Sequence, residues 1–193
     1  MTSRRWVQTG ARLRQFLAGA FAITVLAGCA SLPQDATVFE QLDADTGVTV
    51  TRLGRPVELY RETWVQEATG KFAFLGPFET NQMGNRELFL WVALPVDPSA
   101  GVEPVIELDG QALSLGSVGR AAEFAGLRKS PYKIPTPWSA MYYYKIDAAL
   151  VARLAEATSL SMRTVATGKD GSAVKTLYAA KMEDTRLKEF AQR

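Results

Sequence analysis

A single cysteine and no histidine occur in the 193 residues, and the cysteine, Cys29, closes a short apolar run near the start of the chain. What folds downstream of it has no second thiol for a cross-link, so it must be held by a hydrophobic core alone. Residues 29–193 suffice for one domain with a sizeable core. The same absences restrict chemistry. Without imidazole there is no Ser-His-Asp or Cys-His nucleophile, no histidine zinc site and no histidine general base. Carboxylate pairs, Ser–Lys dyads and oxygen-ligated cations are what remain. The expectation is a non-enzymatic chain with no metal and no dissociable cofactor.

The front of the chain is basic, with Arg4, Arg5, Arg12 and Arg14 and no acid before Asp35. Phe16 to Ala27 then runs twelve residues without a charge. As a helix it would span about 18 Å, short of the roughly 30 Å of bilayer hydrocarbon. Such a segment engages export machinery and leaves the following chain on the far side of the membrane. Its last residues, Leu26-Ala27-Gly28-Cys29, resemble the lipobox of bacterial lipoprotein precursors. The resemblance implies cleavage between Gly28 and Cys29, with diacylglycerol on the Cys29 sulfur and an acyl chain on its amino group. It also implies a membrane partner, held through the lipid. Ala30 and Ser31 follow, with no Asp after the cysteine, which implies the outer membrane facing the periplasm. Ser3-Arg4-Arg5 also resembles part of a twin-arginine signal, but Trp6-Val7-Gln8 follows and the apolar run begins well downstream, so a plain basic front end is the preferred reading.

Removal of residues 1–28 takes four arginines with it, leaving eighteen basic against twenty acidic residues. A nearly neutral mature chain without a basic run excludes nucleic acid as an expected partner. Residues 29–46 are polar and acidic and read as a lipidated N-terminus with a tether, the alternative being partial docking through Val38, Phe39 and Leu42; residues 47–193 read as a single β-rich domain.

Strand signals dominate that domain. Val48 to Leu53 and Val57 to Val65 alternate, and Phe72 to Leu75 is a short apolar strand ended by Gly76-Pro77. Glu87 to Leu94 is nearly all apolar, as expected of a central strand covered on both faces. Asn81 to Asn85 is a turn, and Asp109-Gly110 joins a hairpin between Val105–Leu108 and Gln111–Leu115. Met141 to Ile146 is a strand. Asp147 caps a helix over Ala148–Ala157, and residues 158–167 and 173–179 form a second hairpin. Asp184 opens a short helix carrying Leu187 and Phe190. The expected fold is mainly β: an antiparallel sandwich or open barrel with one or two short helices.

The strand-turn at 105–110, the helix at 147–154 and the hairpin SLSMRTVATGKDGSAVKTLYA at 159–179 are similar to small periplasmic domains of the invasion-associated locus B type. The similarity implies a β-sandwich and carries over no functional residue. Members have cysteines in this region and this chain has none.

Tyr132, Trp138, Tyr142, Tyr143 and Tyr144, with Pro131, Pro135 and Pro137 among and beside them, make the candidate partner-binding surface. Stiff proline-rich chain displays aromatic rings at low entropic cost. The alternative turns Trp138, Tyr142 and Tyr144 inward from a strand. Phe78 to Asn85 is a second candidate, as a polar recognition loop or a plain hairpin loop. Glu58, Glu62 and Glu67 with Arg61 could seed an acidic site, but Glu58 and Glu62 share a strand face with Tyr60 and Trp64, the pattern of a solvated face, and Ser130 with Lys129 or Lys133 lacks the helical Ser-x-x-Lys spacing. The leading expectation is a lipid-anchored envelope lipoprotein that binds a protein or envelope polymer. A carrier of an apolar ligand or lipid, and a carboxylate-dependent hydrolase, are the other two.

Overall fold

A computed structural model describes residues 37–61, 72–98, 101–116, 118–133, 139–167, 172–182 and 185–193. Gly28, Cys29 and Trp138 lie outside them, as do Glu62, Glu67 and Asp184. Among the described residues are β1 (Val38–Asp43), β2 (Val48–Leu53), β3 (Val57–Arg61), β4 (Phe72–Gln82), β5 (Asn85–Leu94), β6 (Val105–Leu108), β7 (Gln111–Ala112), β8 (Val118–Gly119) and β9 (Ala140–Ile146). Helix α1 (Ala148–Glu156), β10 (Ser159–Thr167), β11 (Ala173–Lys181) and α2 (Thr185–Ala191) follow. The fold is mainly β, as expected: one antiparallel sheet curled into a half-barrel, with two short helices.

The strand order is β7-β6-β10-β11-β3-β4-β5-β9-β8, and β1-β2 joins through β4. β4 is the shared member of two arms. Its first half pairs with β3, Val57 opposite Leu75, and its second half with β2, Arg52 opposite Phe78. Gly76-Pro77 sits between the two partners. Proline has no N–H to give a ladder, and here it falls where the neighbour changes. This corrects the expectation that the strand ends at Gly76-Pro77: β4 continues to Gln82. Phe78 is fully buried and Thr80 nearly so. The polar loop expected over Phe78–Asn85 therefore reduces to Met83-Gly84, which closes the hairpin with both residues at positive φ.

A second correction concerns the N-terminal boundary. β1 pairs along its whole length with β2, from Val38 opposite Leu53 to Asp43 opposite Val48. The compact unit begins at Thr37, not at residue 47. Val38 is the one buried residue of β1, while Glu40, Gln41 and Leu42 are exposed. An edge strand so lightly buried carries no alternating signal and reads as linker.

β5 runs between β4 and β9 with six consecutive buried residues, Phe89 to Leu94. Burial of each large apolar side chain is worth about 1.5–3 kcal/mol, so this strand anchors the core. One of its faces carries Leu90 and Val92, opposite Tyr144 and Tyr142. The other carries Phe89 and Trp91, covered by the irregular segment after β8. There Phe124 sits 6.2 Å from Phe89 and Tyr132 sits 5.1 Å from Trp91, measured between ring centroids.

Candidate functional site

The aromatic cluster is interior. Tyr132, Tyr142, Tyr143 and Tyr144 are at most 6% exposed. That corrects the expectation of a displayed platform for these four residues. Successive residues of β9 point to opposite faces, and both faces are covered. Tyr143 meets Phe78 edge-on at 6.4 Å. On the other face Tyr142 and Tyr144 stack in parallel, and the Tyr142 hydroxyl donates to the Val102 carbonyl. The Arg120 guanidinium lies 4.1 Å over the Tyr142 ring. Burial pushes the phenols of Tyr142, Tyr143 and Tyr144 above their ordinary value, so they stay protonated.

Tyr132 acts as a clamp. Its hydroxyl accepts from the Leu53 amide at 3.2 Å and donates to the Pro77 carbonyl. This joins β2, β4 at Pro77 and the 118–133 segment. Gly76 is required beneath the ring: a Cβ there would lie 2.5 Å from Cζ of Tyr132.

Two surface clefts remain as candidates. One, of about 270 Å³, lies between the β1–β2 turn and residues 127–131, and its lining includes Asp43, Asp45, Arg52 and Lys129. It holds two carboxylates, but Asp43 is committed to the turn. It accepts from the amides of Asp45 at 3.0 Å and Arg128 at 3.5 Å. Burial pushes the Asp43 carboxyl up, and those amides with Thr46 outweigh it, leaving it below its ordinary value. A general acid needs a carboxyl raised toward neutrality, and Asp43 is driven the other way. The neighbouring Lys129 pairs with Asp45 at 3.7 Å, and the buried Ser130 hydroxyl lies toward the Tyr143 phenol instead. No Ser–Lys dyad forms.

The larger cleft, about 560 Å³, is lined by Arg55, Pro56, Val57, Glu58, Tyr60, Ala179, Ala180 and Arg186. β3 turns Val57 and Leu59 into the core and Glu58 and Tyr60 outward. Tyr60 is 56% exposed and contacts Phe72, itself 39% exposed, edge to face at 5.1 Å. Arg186 of α2 donates to the Arg55 carbonyl at 3.3 Å, which brings the two cationic residues to one end. Two arginines lining one cleft with an exposed aromatic pair suit an anion attached to apolar matter. Sequence reasoning missed Arg55 and Arg186, which are 131 residues apart. The signal that could have found the rest was the outward Tyr60 on an otherwise charged strand face.

Among the described residues no group of histidine, cysteine, aspartate or glutamate comes together that could hold a metal ion, and no helix is long and apolar enough to cross a membrane. Comparison with protein-family models, curated proteins and solved structures gave no match.

Proposed function

We propose that the chain is a lipid-anchored lipoprotein of the bacterial cell envelope, its β domain held at the periplasmic face of the outer membrane in a partner-binding or structural role. One observation carries this reading. Leu26-Ala27-Gly28-Cys29 ends an apolar run behind a basic front, and the compact unit starts only eight residues later, at Thr37. A cysteine that closes such a run is suited to take lipid. Anchoring by two or three acyl chains would be effectively permanent, since each buried methylene contributes about 0.8 kcal/mol. Supporting it, Leu90, Val92, Tyr142 and Tyr144 are buried where β5 pairs with β9. A partner would therefore meet the surface of the domain.

The test is Cys29→Ser in the full-length chain, with cell fractionation and intact mass of the recovered protein. The expected result is loss of membrane association together with loss of the lipid mass. A variant equally membrane-bound, with wild-type protein that carries no added mass, overturns the proposal.

A further inference from the structure

We propose that the cleft formed by Arg55, Arg186 and Tyr60 is a second membrane contact that takes the phosphate headgroup of an anionic phospholipid.

Three observations converge on it. The first is position. The Thr37 carbonyl accepts from the Gly54 amide at 3.0 Å, and the Thr37 hydroxyl donates to Glu189 of α2. The chain therefore enters the domain beside Arg55 and beside the helix that carries Arg186. Seven residues separate Cys29 from Thr37, and the eight Cα-to-Cα steps between them reach no more than about 29 Å. This part of the proposal rests on the lipid anchor proposed above. With acyl chains on Cys29, the cleft stays within one small-domain diameter of the bilayer surface.

The second is charge. The mature chain is slightly acidic overall, yet Arg55 and Arg186 both line this cleft, with Glu58 the one carboxylate among its described lining residues. Guanidinium matches phosphate oxygens in geometry and sheds water more easily than ammonium does. The third is the aromatic pair. Tyr60 lines the same cleft and Phe72 leans on it, both exposed. An aromatic body with a polar tip next to a cation is the combination that settles at the level of lipid headgroups. A soluble phosphate would engage the arginines and leave these rings unused.

Weak affinity suffices here. A short tether holds the cleft at an effective concentration in the millimolar range, so a contact too weak to recruit the free protein still fixes the orientation of an anchored one.

The experiment uses residues 29–193 with Cys29→Ser, lacking both lipid and apolar leader. Thr37–Arg193 carries a continuous core of its own. Co-sedimentation is measured with vesicles of phosphatidylglycerol mixed into phosphatidylcholine and with phosphatidylcholine alone, and sn-glycerol 3-phosphate is added as a soluble competitor. Binding to the mixed vesicles alone is expected, weakening as salt rises. Arg55→Gln and Arg186→Gln should each weaken it about fivefold, and together about 25-fold, as for surface cations near an anionic leaflet. Arg55→Lys with Arg186→Lys should retain most of the binding, and a thermal melt run alongside checks that each variant is folded. Equal binding of the folded double glutamine variant and the parent overturns the proposal. So does equal binding to both vesicle types, or complete displacement by millimolar glycerol phosphate. The assay contains no lipidated protein, so a failure of the anchor proposal appears in the Cys29 mass measurement and not here.

Discussion

Met83 stands at φ 52°, fully exposed, at the first of two left-handed positions in the β4–β5 turn. An unbranched apolar side chain has nothing to gain there, and two-residue hairpins of this hand favour Asn-Gly. Met83→Asn is expected to raise stability by about 0.5–1 kcal/mol, read as a higher denaturation midpoint at unchanged slope. Tyr132 is the opposite case, buried with its hydroxyl both accepting and donating. Burial holds its phenol well above the ordinary value, and it stays a donor to Pro77 while accepting from Leu53. Tyr132→Phe keeps the ring over Gly76 and strands a buried amide and carbonyl, at an expected cost of about 1–3 kcal/mol. Gly76→Ala drives a methyl into the ring and should cost at least as much. A Tyr132→Phe midpoint equal to the parent's would show that the clamp is only packing.

At the level of elements, the β6–β7 turn is fastened to the start of β10 by one carboxylate oxygen. Asp109 Oδ1 accepts from Thr158 and Ser159, each through its amide and its hydroxyl. Hydrogen bonds, led by that from the Thr158 hydroxyl, hold the Asp109 carboxyl below its ordinary value despite some opposing desolvation. A depressed folded pKa contributes stability above the unfolded value. That contribution is complete above about pH 4 and fades as pH falls through the lower, folded value. Asp109→Asn keeps the turn residue's tolerance for positive φ and removes only the charge. It should be less stable than the parent at pH 7 and approach it near pH 3, in parallel urea titrations; a constant gap between the two would refute the assignment. Elements of this kind were legible in the sequence. The Asp-Gly hairpin, the Asp147 cap donated to by Leu150 at 2.8 Å, and the all-apolar β5 each carry a local signature. β1 was not, since its single buried residue makes no pattern, and neither was the passage of β4 through Gly76-Pro77. The tyrosines of β9 were ambiguous for a physical reason. Alternation assigns Tyr143 to the face opposite Tyr142 and Tyr144, and only the irregular 118–133 segment, which has no period to read, decides that both faces are covered.

On the scale of the whole molecule, the lightly buried first strand is structural. A chain starting at residue 47 loses one of the two partners of β2 and uncovers Leu53, which Val38 faces. It should be less stable than one starting at residue 37 by about 2 kcal/mol or more from apolar burial alone, checked by thermal melting of the two truncations. The larger arrangement has a temporal side. β11, nearly the last segment of the chain, is not at an edge. It lies between β10 and β3, setting Tyr178 against Arg61 across more than a hundred residues. Closing so distant a pair is slow and cannot precede the arrival of its second partner. Whether it emerges from a ribosome or threads through a pore, the polypeptide stays slack until residue 181 is free. A chain halted short of that point would present the naked borders of β3 and β10 to proteases and to its neighbours.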